Sequence, residues 1–192
     1  MDLKHLSYTG LVAAVGIGRL LELRISRRRQ HRLAQSGVVK VPEHHFRAMV
    51  GLHVGVLGGS VLELWLLRWR FRRWLACPAL VTFFGANVLR WWVIRTLADH
   101  WNVEVMDSLP RGVIAHGPYR FIRHPNYVAV FLELLALPLV GGAWLTAVIG
   151  SIAHVWVLKQ RITTEESVLL AHSAYQEALG HKPRFMPRWR DG

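Results

Sequence analysis

The chain has 192 residues, of which 52% are hydrophobic and 19% charged, with a formal net charge of +12. That apolar content excludes a disordered chain and argues against a nucleic-acid partner. The positive charge gathers in Arg-rich knots between long apolar runs, as in small membrane proteins whose basic loops meet anionic lipid headgroups. The single Cys77 excludes an intramolecular disulfide and a Cys-rich metal cluster. Many of the nine Trp fall at the ends of apolar runs, where a membrane interface favours amphipathic rings.

The first apolar run covers residues 6–23 and carries Arg19 and Glu22 near its end. Three residues apart, these two share a helix face and neutralise each other in part. Basic residues follow this run and no small-residue cleavage motif does, so an uncleaved membrane helix fits better than a signal peptide. A basic connector holds Arg24, Arg27, Arg28, Arg29, Arg32 and Lys40. The second run, 46–67, carries His53 and Glu63, and the knot Arg68, Arg70, Arg72 and Arg73 separates it from the third run, 74–94, with Asn87 and Arg90. Each run comes close to the roughly 20 residues that a helix needs to cross a hydrocarbon layer.

Residues 95–126 turn polar, and a fourth apolar stretch spans 127–158. As one straight helix it would measure about 48 Å, well beyond the bilayer core. Pro138 and the pair Gly141-Gly142 supply a turn, so a helical hairpin is expected. The tail, 159–192, is expected to be helical through Ala178 and broken by Gly180 and Pro183. The fold class is therefore all-α, a polytopic membrane protein of about five transmembrane helices with a C-terminal hairpin. Residues 1–94 form the N-terminal membrane helices, and 95–192 a core of loop, hairpin and tail. The distribution of Lys and Arg favours an N-terminus outside and the loop 95–126 inside, with the Arg68–Arg73 knot as the exception.

Chemistry concentrates in His116-Gly117-Pro118-Tyr119-Arg120-Phe121-Ile122-Arg123-His124-Pro125-Asn126-Tyr127. Pro125 suits the first turn of a helix, whose free N–H groups, with Arg123 and His124, favour an anion. The plainer reading is a basic anchor at the membrane interface. Arg19, Glu22, Glu63, Arg90 and Glu133 sit in or near apolar runs, where unpaired charge is expensive, so pairing between helices is expected. Glu133, six residues after Tyr127, also suits an acceptor pocket. His53 and His154 are read as core residues, and no metal-ligand spacing is present.

The segment GPYRFIRHPNY closely resembles the Arg-His-Pro-x-Tyr motif of the isoprenylcysteine carboxyl methyltransferase family, which is followed by a helical hairpin, a Glu-Glu pair and a short Arg-aromatic-x-Pro segment. Here these are Glu165-Glu166 and Arg184-Phe185-Met186-Pro187. The resemblance runs from about residue 99 to 190, while the N-terminal helices match in kind alone. Ala129 stands where the family often has Gly. The runs HPNYVAVFLELLALPL, RLLEL and HWNVEVMDSLP further resemble a bacterial branch encoded with type III polyketide synthases, whose members O-methylate alkylpyrones or phenolic lipids.

The resemblance implies S-adenosylmethionine as methyl donor, bound on the cytosolic face of a bacterial inner membrane, and a lipophilic acceptor arriving from the bilayer. His116, Gly117, Pro118, Tyr119, Arg123, His124, Pro125, Tyr127, Glu165 and Glu166 are the expected donor-binding residues. Arg123 and His124 suit its carboxylate, Tyr119 and Tyr127 its sulfonium or adenine, and Glu165 or Glu166 its hydroxyl or amino groups. Arg184 is expected to orient the acceptor, and Glu166 or His116 to serve as base for a neutral phenol. Glu133 and Arg184 are the expected acceptor contacts. Two other readings stand beside this one: phospholipid N-methylation, and a non-enzymatic scaffold or transporter subunit.

Overall fold

A computed structural model describes residues 3–35, 38–41, 45–67, 72–104, 106–107 and 112–187. Five helices carry the architecture: α1 (Leu3–Gln35), α2 (Phe46–Leu67), α3 (Arg73–Leu97), α4 (Pro125–Gly141) and α5 (Trp144–Leu169). A two-residue antiparallel ladder, β1 (Val39–Lys40) with β2 (Met106–Asp107), ties the segment after α1 to the polar loop. The spans Leu3–Arg32, Phe46–Leu67 and Arg73–His100 are long and apolar enough to cross a membrane, and Pro125–Gly141 is a shorter apolar helix. The chain is thus an all-helical, polytopic membrane protein. Outward-facing Leu66, Val81, Val88, Ile149 and Ile152 are each at least half exposed, as expected of a surface solvated by lipid.

Three boundaries depart from the sequence expectation. Helix α1 does not stop where its apolar run ends but continues through the basic connector to Gln35. Arg is a good helix former, and a change from apolar to charged side chains moves a helix into water without ending it. Pro138 lies inside α4, and the turn falls at Gly142 alone, with φ of 82°. Beyond the apolar stretch, α5 runs unbroken to Leu169, and the expected tail helix is reduced to short turns at Ser173–Tyr175 and Gln176–Gly180. Arg68 and Arg70 of the basic knot lie outside the described residues.

Helix α4 packs most extensively on α3 and next on α5, while α2 packs on α5 and α1 on α2. A core cluster of Tyr8, Val12, Leu64, Phe83, Ala136 and Leu137 joins four of the helices. The Tyr8 hydroxyl donates to the Leu137 carbonyl at 3.1 Å, and a Cβ on Gly141 would fall 2.5 Å from the Tyr8 ring. The chain has to be glycine there for the hairpin to approach α1.

Intramembrane charges are paired across helices, as expected for groups that hydrocarbon cannot solvate. Arg19 meets Glu22 at 2.5 Å and both Glu133 oxygens at 3.0 Å, while Arg90 meets Glu22 at 2.5 Å. Glu63 of α2 serves the start of α5: its oxygens accept from Leu145 N at 3.0 Å, Thr146 N at 2.7 Å and Thr146 Oγ1 at 2.7 Å. A helix start leaves N–H groups without intrahelical partners, and here a neighbouring helix supplies the cap.

Candidate active site

The end of the bundle opposite the hairpin turn holds the chemistry. Three segments meet there: the first turn of α4, the polar last turns of α5, and the loop following α3. Gly117 begins a short 3-10 turn through Arg120, with φ of 59°, and a Cβ there would fall 2.5 Å from Thr96 Oγ1. Glycine is needed at this position on both counts, and the turn delivers Tyr119 and Arg123 to the start of α4.

The tail closes this end. Arg123 N donates to Pro183 O at 2.9 Å and His124 N to Arg184 O at 3.0 Å, so two backbone donors before α4 are taken by tail carbonyls. Side chains reinforce the backbone contact. Glu166, buried on α5, accepts from His124 Nε2 at 2.9 Å, and from Arg184 through Nε at 3.1 Å and Nη2 at 2.6 Å. Arg123 Nη1 lies 3.3 Å from the same carboxylate. Burial pushes the Glu166 carboxyl up, but hydrogen bonds from Arg184 and His124 and the charge of Arg123 outweigh it, holding the group below the ordinary carboxylate range.

Glu165, on the preceding position of α5, accepts from the Tyr127 hydroxyl, which in turn accepts from Arg161 Nε at 3.1 Å. Arg161 also donates to Val103 O, fastening the loop after α3 to the hairpin. The His124 and Tyr127 rings stack with centroids 5.3 Å apart. Burial pushes the Tyr119 and Tyr175 hydroxyls well above their ordinary value, with Glu165 adding to both, so they are neutral donors at any working pH.

Between these elements lies a cavity whose wall includes Trp101, Tyr119, Arg123, Asn126, Arg161 and Glu165. His124, Tyr127 and Tyr175 also reach it, with Leu97 and Leu179 as apolar wall. Three buried polar atoms of this wall have no partner among the described residues: Trp101 Nε1, Arg123 Nε and Asn126 Oδ1. These atoms are themselves closed off by protein, but the residues that carry them all line the one cavity, so its wall is rich in both donors and acceptors. Arg123 and Arg161 suit an anion, Glu165 suits hydroxyl or amino groups, and the aromatic faces suit a sulfonium or a purine. The residues therefore fit S-adenosylmethionine.

Of the donor residues expected from the sequence, Tyr119, Arg123, His124, Tyr127 and Glu165 line the cavity. Gly117, Pro118 and Pro125 shape the backbone around it, His116 is exposed, and Glu166 sits behind His124 in the tail contact. Arg184 lies over Glu166 with its side chain 54% exposed, outside the cavity wall. Glu133 is occupied by Arg19. Sequence reasoning missed Trp101, Asn126 and Arg161. Asn126 is the variable position of the recognised motif, and Arg161 lies seven residues after His154, on the same face of α5; that spacing was the one available signal.

Residues 79–171 match the model of the isoprenylcysteine carboxyl methyltransferase (ICMT) family. The chain is 26% identical over 163 residues to the uncharacterized protein YpbQ of Bacillus subtilis, covering 85% of this chain and 96% of the relative. It is 29% identical over 114 residues to protein-S-isoprenylcysteine O-methyltransferase of Tribolium castaneum, covering 56% of this chain and 41% of that one. Among solved structures, the eukaryotic intramembrane Ras methyltransferase ICMT superposes with a TM-score of 0.57 at 25% identity, over 71% of this chain. The chain spans 50% of the length of that protein. The family match takes in just under half of the 192 residues, and it makes the chain similar to the ICMT family, whose members are membrane methyltransferases using S-adenosylmethionine.

Proposed function

We propose that this chain is a membrane methyltransferase of the ICMT family that O-methylates a lipophilic acceptor, an alkylpyrone or phenolic polyketide lipid, delivered from the bilayer of a bacterial inner membrane. The observation that carries the reading is the cavity at one end of the membrane helices, with unpartnered polar atoms on Trp101, Arg123 and Asn126. When bound, S-adenosylmethionine supplies an electrophilic methyl group on a sulfonium. Arg123 and the start of α4 hold its carboxylate, Glu165 its hydroxyl or amino groups, and the aromatic wall its cationic and adenine portions. His124 positions this wall by stacking on Tyr127 while anchored to Glu166.

The protein's part in methyl transfer is alignment of the two reactants and exclusion of water. Arg184 orients the acceptor oxygen, and an acidic enol or a carboxylate needs no base because it is already ionised at neutral pH. A neutral phenol would also need a base; with both Glu166 oxygens engaged by Arg184, His124 and Arg123, His116 is the one of the two expected bases left for that role. Glu133 flanks the acceptor's path from the membrane, its charge balanced by Arg19. The active site faces the cytosol, in keeping with the excess of Lys and Arg on that end, and the acceptor is the product of a type III polyketide synthase.

The test is transfer of labelled methyl from S-adenosylmethionine to a bacterial lipid extract, with mass spectrometry of the product. The expected product is a phenolic or pyrone methyl ether. An N-methylated phospholipid, or an isoprenylcysteine ester in its place, would overturn the acceptor assignment. His124→Ala is expected to weaken donor binding about tenfold, the cost of one hydrogen bond to a charged partner; unchanged affinity would move the donor site elsewhere.

A further inference from the structure

Helix α1 has 33 residues and is about 50 Å long, against a hydrocarbon layer of about 30 Å, so its last dozen residues project beyond the bilayer core. This projection, RISRRRQHRLAQ over positions 24–35, contains five Arg and no acidic residue. It has two dissimilar faces.

The inward face holds the loop that walls the donor cavity. Arg29 Nη1 donates to Ala98 O at 2.7 Å, and its guanidinium lies 5.7 Å from the Trp101 ring centroid. Ser26, 1% exposed, accepts from Val103 N at 3.0 Å and lies 3.5 Å from Asn102 Oδ1. Trp101 and Asn102 both line the cavity. Ala98, which α1 grips, has φ of 47° and is the one non-glycine residue at positive φ among the described residues. Such a backbone persists only where its surroundings hold it in place.

The outward face is basic. Arg24, Arg27, Arg28 and Arg32 are all exposed, and three of them recur at four-residue intervals. Like charges at that spacing repel and destabilise a helix, and a projecting segment this short is marginal by itself in water. The projection therefore needs counter-charge on its outer side, at the depth where lipid phosphates lie.

We propose that Arg24, Arg27, Arg28 and Arg32 bind the headgroups of anionic phospholipids in the leaflet on the cavity side. That contact holds α1 in the position from which Arg29 and Ser26 brace the cavity loop, so bilayer charge sets donor affinity. The coupling rests on the reading of the cavity as the donor site; the lipid contact itself does not. The attraction is worth about 1 kcal/mol per basic residue near an anionic surface, enough for a measurable effect.

The experiment reconstitutes the full chain in nanodiscs of phosphatidylcholine alone or mixed with phosphatidylglycerol. Enrichment of spin-labelled phosphatidylglycerol at the protein surface is read by electron spin resonance, and S-adenosylmethionine affinity by calorimetry. The wild type is expected to enrich the anionic lipid and to bind donor about five-fold more tightly in the anionic discs. Replacing the four residues by Gln should remove both effects. Replacing them by Lys should keep both, because a headgroup contact needs charge and not the planar fork; the Lys variant also shows that the helix tolerates substitution. Equal donor affinity in the two discs, or a Gln variant that keeps the dependence, overturns the proposal. Loss of donor binding in both discs would instead sink the donor-site reading, and enrichment that survives in the Gln variant would sink the lipid contact.

Discussion

Arg184 and Glu166 meet through two parallel hydrogen bonds, Nε to Oε1 at 3.1 Å and Nη2 to Oε2 at 2.6 Å. The carboxylate is buried and the guanidinium half exposed, so the tail brings its charge to a group that cannot leave the core. Around the same carboxylate stand His124 and Arg123, which border the cavity. One side chain thus links the C-terminal segment to the cavity wall.

Arg184→Lys separates two roles for the tail. Lys keeps the charge but not the planar fork that reaches two oxygens together. Turnover is expected to fall at least tenfold with donor affinity nearly unchanged, measured on one preparation. Near-normal turnover would remove Arg184 from acceptor alignment and leave it a tail anchor.

Acid should spare the tail contact for longer than an ordinary glutamate would allow. Glu166 in the folded protein titrates below its unfolded value of about 4.3. Its contribution to stability is therefore fully present above that value and is lost as pH falls through the lower folded one. Pepsin cleavage near Phe185 should stay slow at pH about 4.3 and speed up only below it. In Glu166→Gln cleavage should be fast at every acid pH; equal protection in both proteins would dismiss the carboxylate as the anchor.

Glu63→Leu removes the acceptor for Leu145 N, Thr146 N and the Thr146 hydroxyl together. A loss of about 2–4 kcal/mol in unfolding free energy is expected, from buried donors left without partners. Glu63→Gln, which keeps one acceptor, should lose less. The readout is thermal unfolding in a fixed detergent, and a Leu variant as stable as wild type would refute the cap.

Adjacent glycines at the hairpin turn should respond differently to Ala. Gly142 has positive φ but open space for a Cβ, so its cost is backbone strain of about 1–2 kcal/mol. Gly141→Ala must displace the Tyr8 ring and break its bond to Leu137. The Gly141 variant should have the lower melting temperature, and the reverse order would mean that the ring yields freely.

The membrane helices and the hairpin were legible because hydropathy and a Gly-Gly pair are local signals. The end of α1 was not, since Arg24 to Arg32 mark a change of solvent and not of backbone. The cost of Arg19, Glu22, Arg90 and Glu133 could be read from their apolar surroundings, but not which pairs with which, because pairing depends on helix rotation. Trp101 and Asn126 reach the cavity by the course of a loop and one helical turn, which no spacing rule encodes. Tyr127 and Glu165 stood in recognised motifs, yet their bond to each other crosses 38 positions.

The cap that Glu63 gives to α5 also bears on the order in which the bundle can be built. Membrane insertion proceeds from the N-terminus, so α2 enters hydrocarbon with a carboxylate whose partner Leu145 lies 82 positions ahead. Until the hairpin arrives that charge is unsolvated by its final ligands and α2 has a reason to sit shallow. The hairpin tip, for its part, would bring bare N–H groups to the far side of the membrane if it entered first. Each half completes the other, so α2 is expected to reach its final depth only once α4 and α5 have been made.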